Sequence, residues 1–115
     1  MTSHAIPLEY SSSNVVFKGV YFTPDQVRGP LPVVLICHAW DGLNDEVRDK
    51  AAKLADAGYI AFALDILGAG KTMTDMADLI PTLTPFFENR AMLLERLEAG
   101  INAAKAIPGA DLTRI

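Results

Sequence analysis

Residues 31–42, Leu-Pro-Val-Val-Leu-Ile-Cys-His-Ala-Trp-Asp-Gly, narrow the possible folds of this chain more than any other stretch. An apolar run rich in β-branched residues follows Pro32 and closes in a polar turn. That is the pattern of a central strand buried on both faces. In open parallel α/β sheets, ligands collect outside the carboxyl ends of the strands. Here that rim carries His38, Trp40, Asp41 and Gly42, which are the first site candidates.

The flanking sequence supplies the partners such a strand needs. After Gly42, Asn44 or Asp45 can cap a helix whose first turn holds Asp45 and Glu46, where negative charge suits the macrodipole. Val47, Ala51, Leu54 and Ala55 share one face of it, and charged residues fill the rest. Gly58 is a left-handed stop. Residues 59–64 are again short and apolar, so 33–64 reads as strand, helix, strand, with a right-handed crossover and parallel strands. Before this unit, alternation at Ile6, Leu8 and Tyr10, turn residues at 11–14 and an extended pattern over 15–22 predict a β-hairpin. Residues 23–30 hold two prolines and a glycine and read as a loop.

After the second parallel strand, 65–74 is glycine-rich and irregular. Thr74 or Asp75 caps a short helical piece ended by Pro81, and Thr84-Pro85 opens a helix reaching about residue 107. Leu93, Leu97, Ile101 and Ala104 form its expected buried stripe, and Gly100 within that stripe implies close approach to the sheet. Pro108 and Gly109 end the helix, and 111–115 reads as the approach to another strand. The predicted order places strand 33–37 beside 59–64, with the hairpin on the far side of the latter. Residues 1–115 form one domain or part of one, without repeats or linkers.

Composition enters through what it excludes. Ten basic residues stand singly against fourteen acidic ones, and the net charge is −4, so no nucleic-acid partner is expected. One cysteine, Cys37, permits no intrachain disulfide framework and suits a reducing cytosol. No signal peptide is recognisable, and no apolar run approaches the roughly 18 residues of a membrane span. The expectation is a cytoplasmic protein with no membrane partner. No His, Cys and carboxylate set has metal-ligand spacing, and no cofactor is implied.

Several motifs need weighing. Cys37 and His38 are neighbours on a strand and point to opposite faces, so they do not form a dyad while the strand is regular. Cys37 is expected to be a small buried hydrophobe. His38 stands at the strand exit, where holding the neighbouring loop is preferred over direct chemistry. Residues 66–72, Ile-Leu-Gly-Ala-Gly-Lys-Thr, resemble the end of a phosphate-binding loop, but the first glycine of that signature is replaced by Asp65. Asp45, Glu46 and Asp49 are explained by the helix terminus and its solvent face, which leaves Asp41 as a possible polar group of the site. Met73, Met76 and Met92 are read as packing material.

Residues 33–45 and the runs Ala57-Gly-Tyr-Ile-Ala-Phe-Ala-Leu-Asp65 and Gly68-x-Gly-Lys71 together resemble the N-terminal half of the dienelactone hydrolase family, from about residue 7 to the last residue. The resemblance implies a three-layer α/β-hydrolase-like sheet: an N-terminal hairpin, then parallel strand-helix-strand units, truncated before the nucleophile strand. It also implies hydrolysis of a small-molecule ester or lactone by a Cys-His-Asp triad, with the cysteine on a sharp strand-to-helix turn expected after Ile115. Cys37 lies on the wrong strand for that role. What carries over is half of the oxyanion hole, a backbone N–H that falls at Trp40, with His38, Ala39, Asp41 and Gly42 lining the site. Members nearest dienelactone hydrolase itself have a glutamate at Ala39, so the chain is placed on a side branch. Arg90 is read as structural or solvent-exposed ahead of substrate binding. Two other readings stay open: a non-catalytic half-domain that pairs with another chain, and a nucleotide-binding module resting on Gly70-Lys71-Thr72. If 33–37 ends as a free edge, self-association through that edge is expected.

Overall fold

A computed structural model describes residues 3–26 and 29–115. Val27 and Arg28 of the expected loop over 23–30 lie outside the described residues. β1 (Ser3–Ser12) and β2 (Val15–Pro24) pair antiparallel from Ser3↔Pro24 to Ser12↔Val15. The two residues between them, Ser13 and Asn14, have φ of 49° and 65°. Positive φ at both central positions is what a tight two-residue turn between twisted strands requires. Ser12 Oγ donates to Glu95 Oε1 at 2.9 Å, and Ser13 Oγ donates to the same oxygen, which ties the turn to a helix behind the sheet.

β3 (Val33–Ile36), α1 (Asp45–Asp56) and β4 (Ile60–Ala63) form the strand, helix, strand unit, and β3 and β4 run parallel from Val33↔Ile60 to Ile36↔Ala63. β4 also pairs antiparallel with β2, so the mixed four-stranded sheet has the order β1-β2-β4-β3. Asn44 caps α1, its Oδ1 accepting from the Val47 N–H at 3.3 Å.

The order corrects one expectation. The strand enclosed on both faces is β4, whose four residues have no exposed surface, whereas β3 is an edge strand in which only Val33 is fully buried. An apolar run identifies a strand that could be central; which strand is central depends on how many neighbours pair with it. Among the described residues, the far side of β3 carries the start of a further pairing, where Ala110 bridges Leu31 in parallel and the Val33 N–H donates to the Arg114 carbonyl at 2.9 Å.

Helices cover both faces. α1 lays Val47, Ala51 and Ala55 on Val20, Phe22, Ala61 and Ala63. Behind the other face, a 3₁₀ turn (Met76–Asp78) leads into α2 (Leu79–Glu88) and α3 (Arg90–Lys105). Pro81 does not end a helix as expected. It sits in the first turn of α2, where a missing N–H is no loss, and the helix runs on through Pro85 to Glu88. The break comes at Asn89, whose Oδ1 accepts from the Met92 N–H at 3.1 Å and caps α3. The buried stripe also differs: Leu93, Leu97, Gly100 and Ala104 face the sheet side, while Ile101 is exposed. No helix among the described residues is long and apolar enough to cross a membrane.

Gly100 explains how α3 sits so close. A Cβ there would stand on the Cδ2 of Leu64, with its Cδ1 also at 3.2 Å. Replacing a mid-helix glycine by alanine at an open site gains about 1 kcal/mol. Here the new methyl group meets Leu64, which is fully buried, so Gly100→Ala is expected to lose about 1–3 kcal/mol through overpacking. Urea unfolding checks this, and combining Gly100→Ala with Leu64→Ala should destabilise by less than the sum of the two single losses, because the shortened side chain no longer meets the new methyl group.

Candidate active site

The carboxyl ends of β3 and β4 open into a groove of about 700 Å³. One wall is the segment leaving β3, with Cys37, His38, Ala39 and Trp40. The floor is Ile66 and Leu67, and the other wall is a row of side chains from α2 and α3, among them Leu83, Phe86, Phe87 and Leu94. The walls are overwhelmingly apolar, and Phe87 and Leu94 are exposed at the surface. Arg90, exposed, stands on the helical wall.

The floor is held from beneath by Asp65, which has no exposed surface. Its Oδ2 accepts from the N–H groups of Lys18 and Gly70, each at 2.8 Å, and its Oδ1 accepts from the Gly68 N–H at 3.1 Å. The Asp65 N–H in turn donates to the Tyr10 hydroxyl at 3.3 Å. Burial pushes the pKa of that hydroxyl up to about 12, so it stays neutral at ordinary pH. The glycine amides that a phosphate-binding loop would present to a ligand are satisfied within the loop by its own carboxylate. The geometry therefore removes the ground for the nucleotide-binding reading.

His38 holds the same loop from above. Its Nε2 accepts from the Ile66 N–H at 2.9 Å, which leaves the proton on Nδ1, and Nδ1 lies 2.7 Å from the Ala39 carbonyl oxygen. This is the loop-holding role preferred for it. Arg96, which the sequence reading passed over, completes the clamp. Its Nη1 donates to the carbonyls of Ile66 at 2.6 Å and Leu67 at 3.1 Å, while its guanidinium lies 5.3 Å from the ring of Phe17 and 5.0 Å from that of Phe86. The only signal for it was an arginine on the otherwise apolar, sheet-facing side of α3.

Of the five expected site residues, His38, Ala39 and Trp40 line the groove. The other two face the neighbouring loop. The Asp41 carboxylate accepts from the Asn44 amide at 2.7 Å, and the Asp41 carbonyl accepts from the Met73 N–H at 2.9 Å. Gly42 bridges Thr72 at φ 89°, where a Cβ would meet the Lys71 carbonyl at 2.6 Å. The Trp40 N–H makes no hydrogen bond among the described residues. Cys37 departs from expectation: it is exposed on the groove wall at the end of the edge strand β3 rather than buried. Partial desolvation nonetheless raises its pKa, which disfavours the thiolate.

A mixed sheet between helices, with an apolar groove at the carboxyl ends of its parallel strands and a loop amide beside it without a partner among the described residues, is an open α/β arrangement, the class of fold in which ligand sites lie outside the carboxyl ends of the strands. The comparisons make the assignment specific. The sequence model of the dienelactone hydrolase family matches residues 17–115, and the chain belongs to that family. It is 40% identical over 60 residues to a protein of Escherichia coli (strain K12) named as a carboxymethylenebutenolidase, a match taking in 52% of this chain and 22% of that protein. It is 30% identical over 93 residues to a protein of Aquifex aeolicus (strain VF5) named in the same way, covering 78% and 38%. Among solved structures, a dienelactone hydrolase-like promiscuous phosphotriesterase from metagenomic libraries superposes with a TM-score of 0.94 at 28% identity, covering 99% of this chain and 47% of that one. The chain thus spans less than half the length of these relatives.

Asp65→Asn keeps the shape of the side chain but removes its charge and turns one acceptor into a donor facing N–H groups. Hydrogen bonds to a charged group contribute about 1.5–3 kcal/mol each, so the substitution is expected to cost at least about 2 kcal/mol in urea unfolding. In the unsubstituted protein, ATP is expected to leave Tm unchanged, because the amides it would need are occupied.

Proposed function

We propose that residues 1–115 are the N-terminal part of a single α/β-hydrolase domain that cleaves an ester or lactone of a small molecule. In this reading the nucleophile, the acid and the catalytic histidine follow Ile115, and the next strand pairs along the open edge of β3. The observation that carries it is the Trp40 N–H, without a partner among the described residues and on the wall of an apolar groove at the end of β3. When a nucleophile attacks an ester carbonyl, negative charge develops on the carbonyl oxygen. A backbone N–H already fixed toward that position stabilises the charge without reorganising. The apolar walls favour a substrate with a hydrocarbon body and keep bulk water from the reacting carbonyl.

Cys37 does not serve as the nucleophile in this scheme. Its pKa is raised rather than lowered, whereas a catalytic thiol needs a depressed one. It also stands at the end of an edge strand, not on a strand-to-helix turn.

Two measurements test the reading. In the complete hydrolase, Trp40→Pro deletes the N–H and is expected to reduce turnover of an aryl ester by about 10²–10³-fold, the usual effect of removing one oxyanion donor. Trp40→Phe keeps the amide and should stay near the parent, so equal losses for the two would defeat the assignment. The 115 residues by themselves are expected to show no enzymatic hydrolysis of the same ester, and turnover at enzymatic rates would place the nucleophile among them.

A further inference from the structure

We infer that His38 is a positioning residue for the oxyanion donor, fixing the direction of the Trp40 N–H through the carbonyl of the same peptide unit. The inference rests on the Proposed function above and deepens it. In a trans peptide, C=O and N–H are coplanar and point in opposite directions, so holding the Ala39 oxygen sets the direction of the Trp40 hydrogen. Two donors reach that oxygen: His38 Nδ1 at 2.7 Å and the Gly42 N–H at 3.2 Å. The shorter bond exists only in one tautomer. Because Nε2 accepts from the Ile66 N–H, the ring proton is confined to Nδ1, where it points at Ala39.

The imidazole is therefore a rigid spacer between two loops, and its far end is well anchored. Ile66 is held at its N–H by His38 and at its carbonyl by Arg96, and the residue before it is the buried Asp65 with its three amide bonds. Arg96 cannot swing away, since Phe17 and Phe86 flank its guanidinium. The geometry connects a fixed point under the sheet, through Ile66 and His38, to the one groove-lining amide that the hydrolase reading uses. The Gly42 N–H would still hold the Ala39 carbonyl without His38, so removing the ring should loosen the peptide rather than unfold the loop.

The test uses the complete hydrolase and an aryl ester, with kcat and KM measured separately. His38→Leu removes both bonds, whereas His38→Gln can offer an amide oxygen to Ile66 and an amide N–H to Ala39. His38→Leu is expected to lower kcat by about 10–100-fold, the scale of a small misplacement of a catalytic group. KM should stay within a factor of about two, because the interaction matters only once charge has developed. His38→Gln should recover most of the loss. ¹⁵N spectra of the histidine-labelled parent should show a neutral ring protonated at Nδ1. A parent ring protonated at Nε2 overturns the inference even if His38→Leu fails to fold. So does a His38→Leu enzyme with unchanged kcat while Trp40→Pro is inactive, or a His38→Gln enzyme as impaired as His38→Leu. If Trp40→Pro retains full turnover, the oxyanion reading itself fails, and this inference falls with it.

Discussion

The buried carboxylate of Asp65 is the constraint on which the carboxyl end of this sheet depends. An ionised group without exposed surface is tolerable only when its oxygens are fully used, and here three backbone N–H groups use them. The price is paid by a loop with no regular structure, which in exchange acquires a single shape. Among the described residues, no buried side-chain nitrogen or oxygen is left without a partner. Ile66 and Leu67, the floor of the groove, are presented by that loop, and His38 and Arg96 take hold of its peptide groups.

Size complementarity on the two faces of β4 sets how near the helices lie. Ala61 and Ala63 turn toward α1, which answers with Ala51 and Ala55. Ile60, Phe62 and Leu64 turn the other way, and α3 answers with Gly100 and Ala104. On the α1 side strand and helix both present alanines, whereas on the α3 side large strand residues meet small helix residues. Close approach on the α3 side also brings Arg96 within reach of the carbonyls at the strand end, so packing in the core and order in the groove have one origin.

Much of this was legible from residue order, because the features concerned are local. The cap at Asn44, the apolar face of α1, the stop at Gly58, the parallel pairing of β3 with β4 and the close approach at Gly100 all follow from short-range pattern. The failures are equally specific. Pro81 and Pro85 looked like boundaries, yet one sits in a first turn and the other is tolerated inside α2. Ile101 matched the helical stripe but lies exposed, because α3 meets the sheet over a narrower face than its spacing suggests. Cys37 matched the apolar run but lies exposed at the end of β3, the edge strand of the sheet among the described residues.

The sequence by itself determined the hairpin, the strand, helix, strand unit with its parallel pairing and the family, since these rest on periodicity, capping and motif within a few tens of residues. It also placed His38 and Trp40 at the strand exit. Only the tertiary structure decided which strand is enclosed, that Asp65 fills the amide cradle of its own loop, and that Arg96 reaches across to Ile66. The reason is distance along the chain. Lys18 meets Asp65 across 47 positions, His38 meets Ile66 across 28 and Arg96 meets Ile66 across 30, and contacts of that range exist only after the sheet has brought separate segments to one rim.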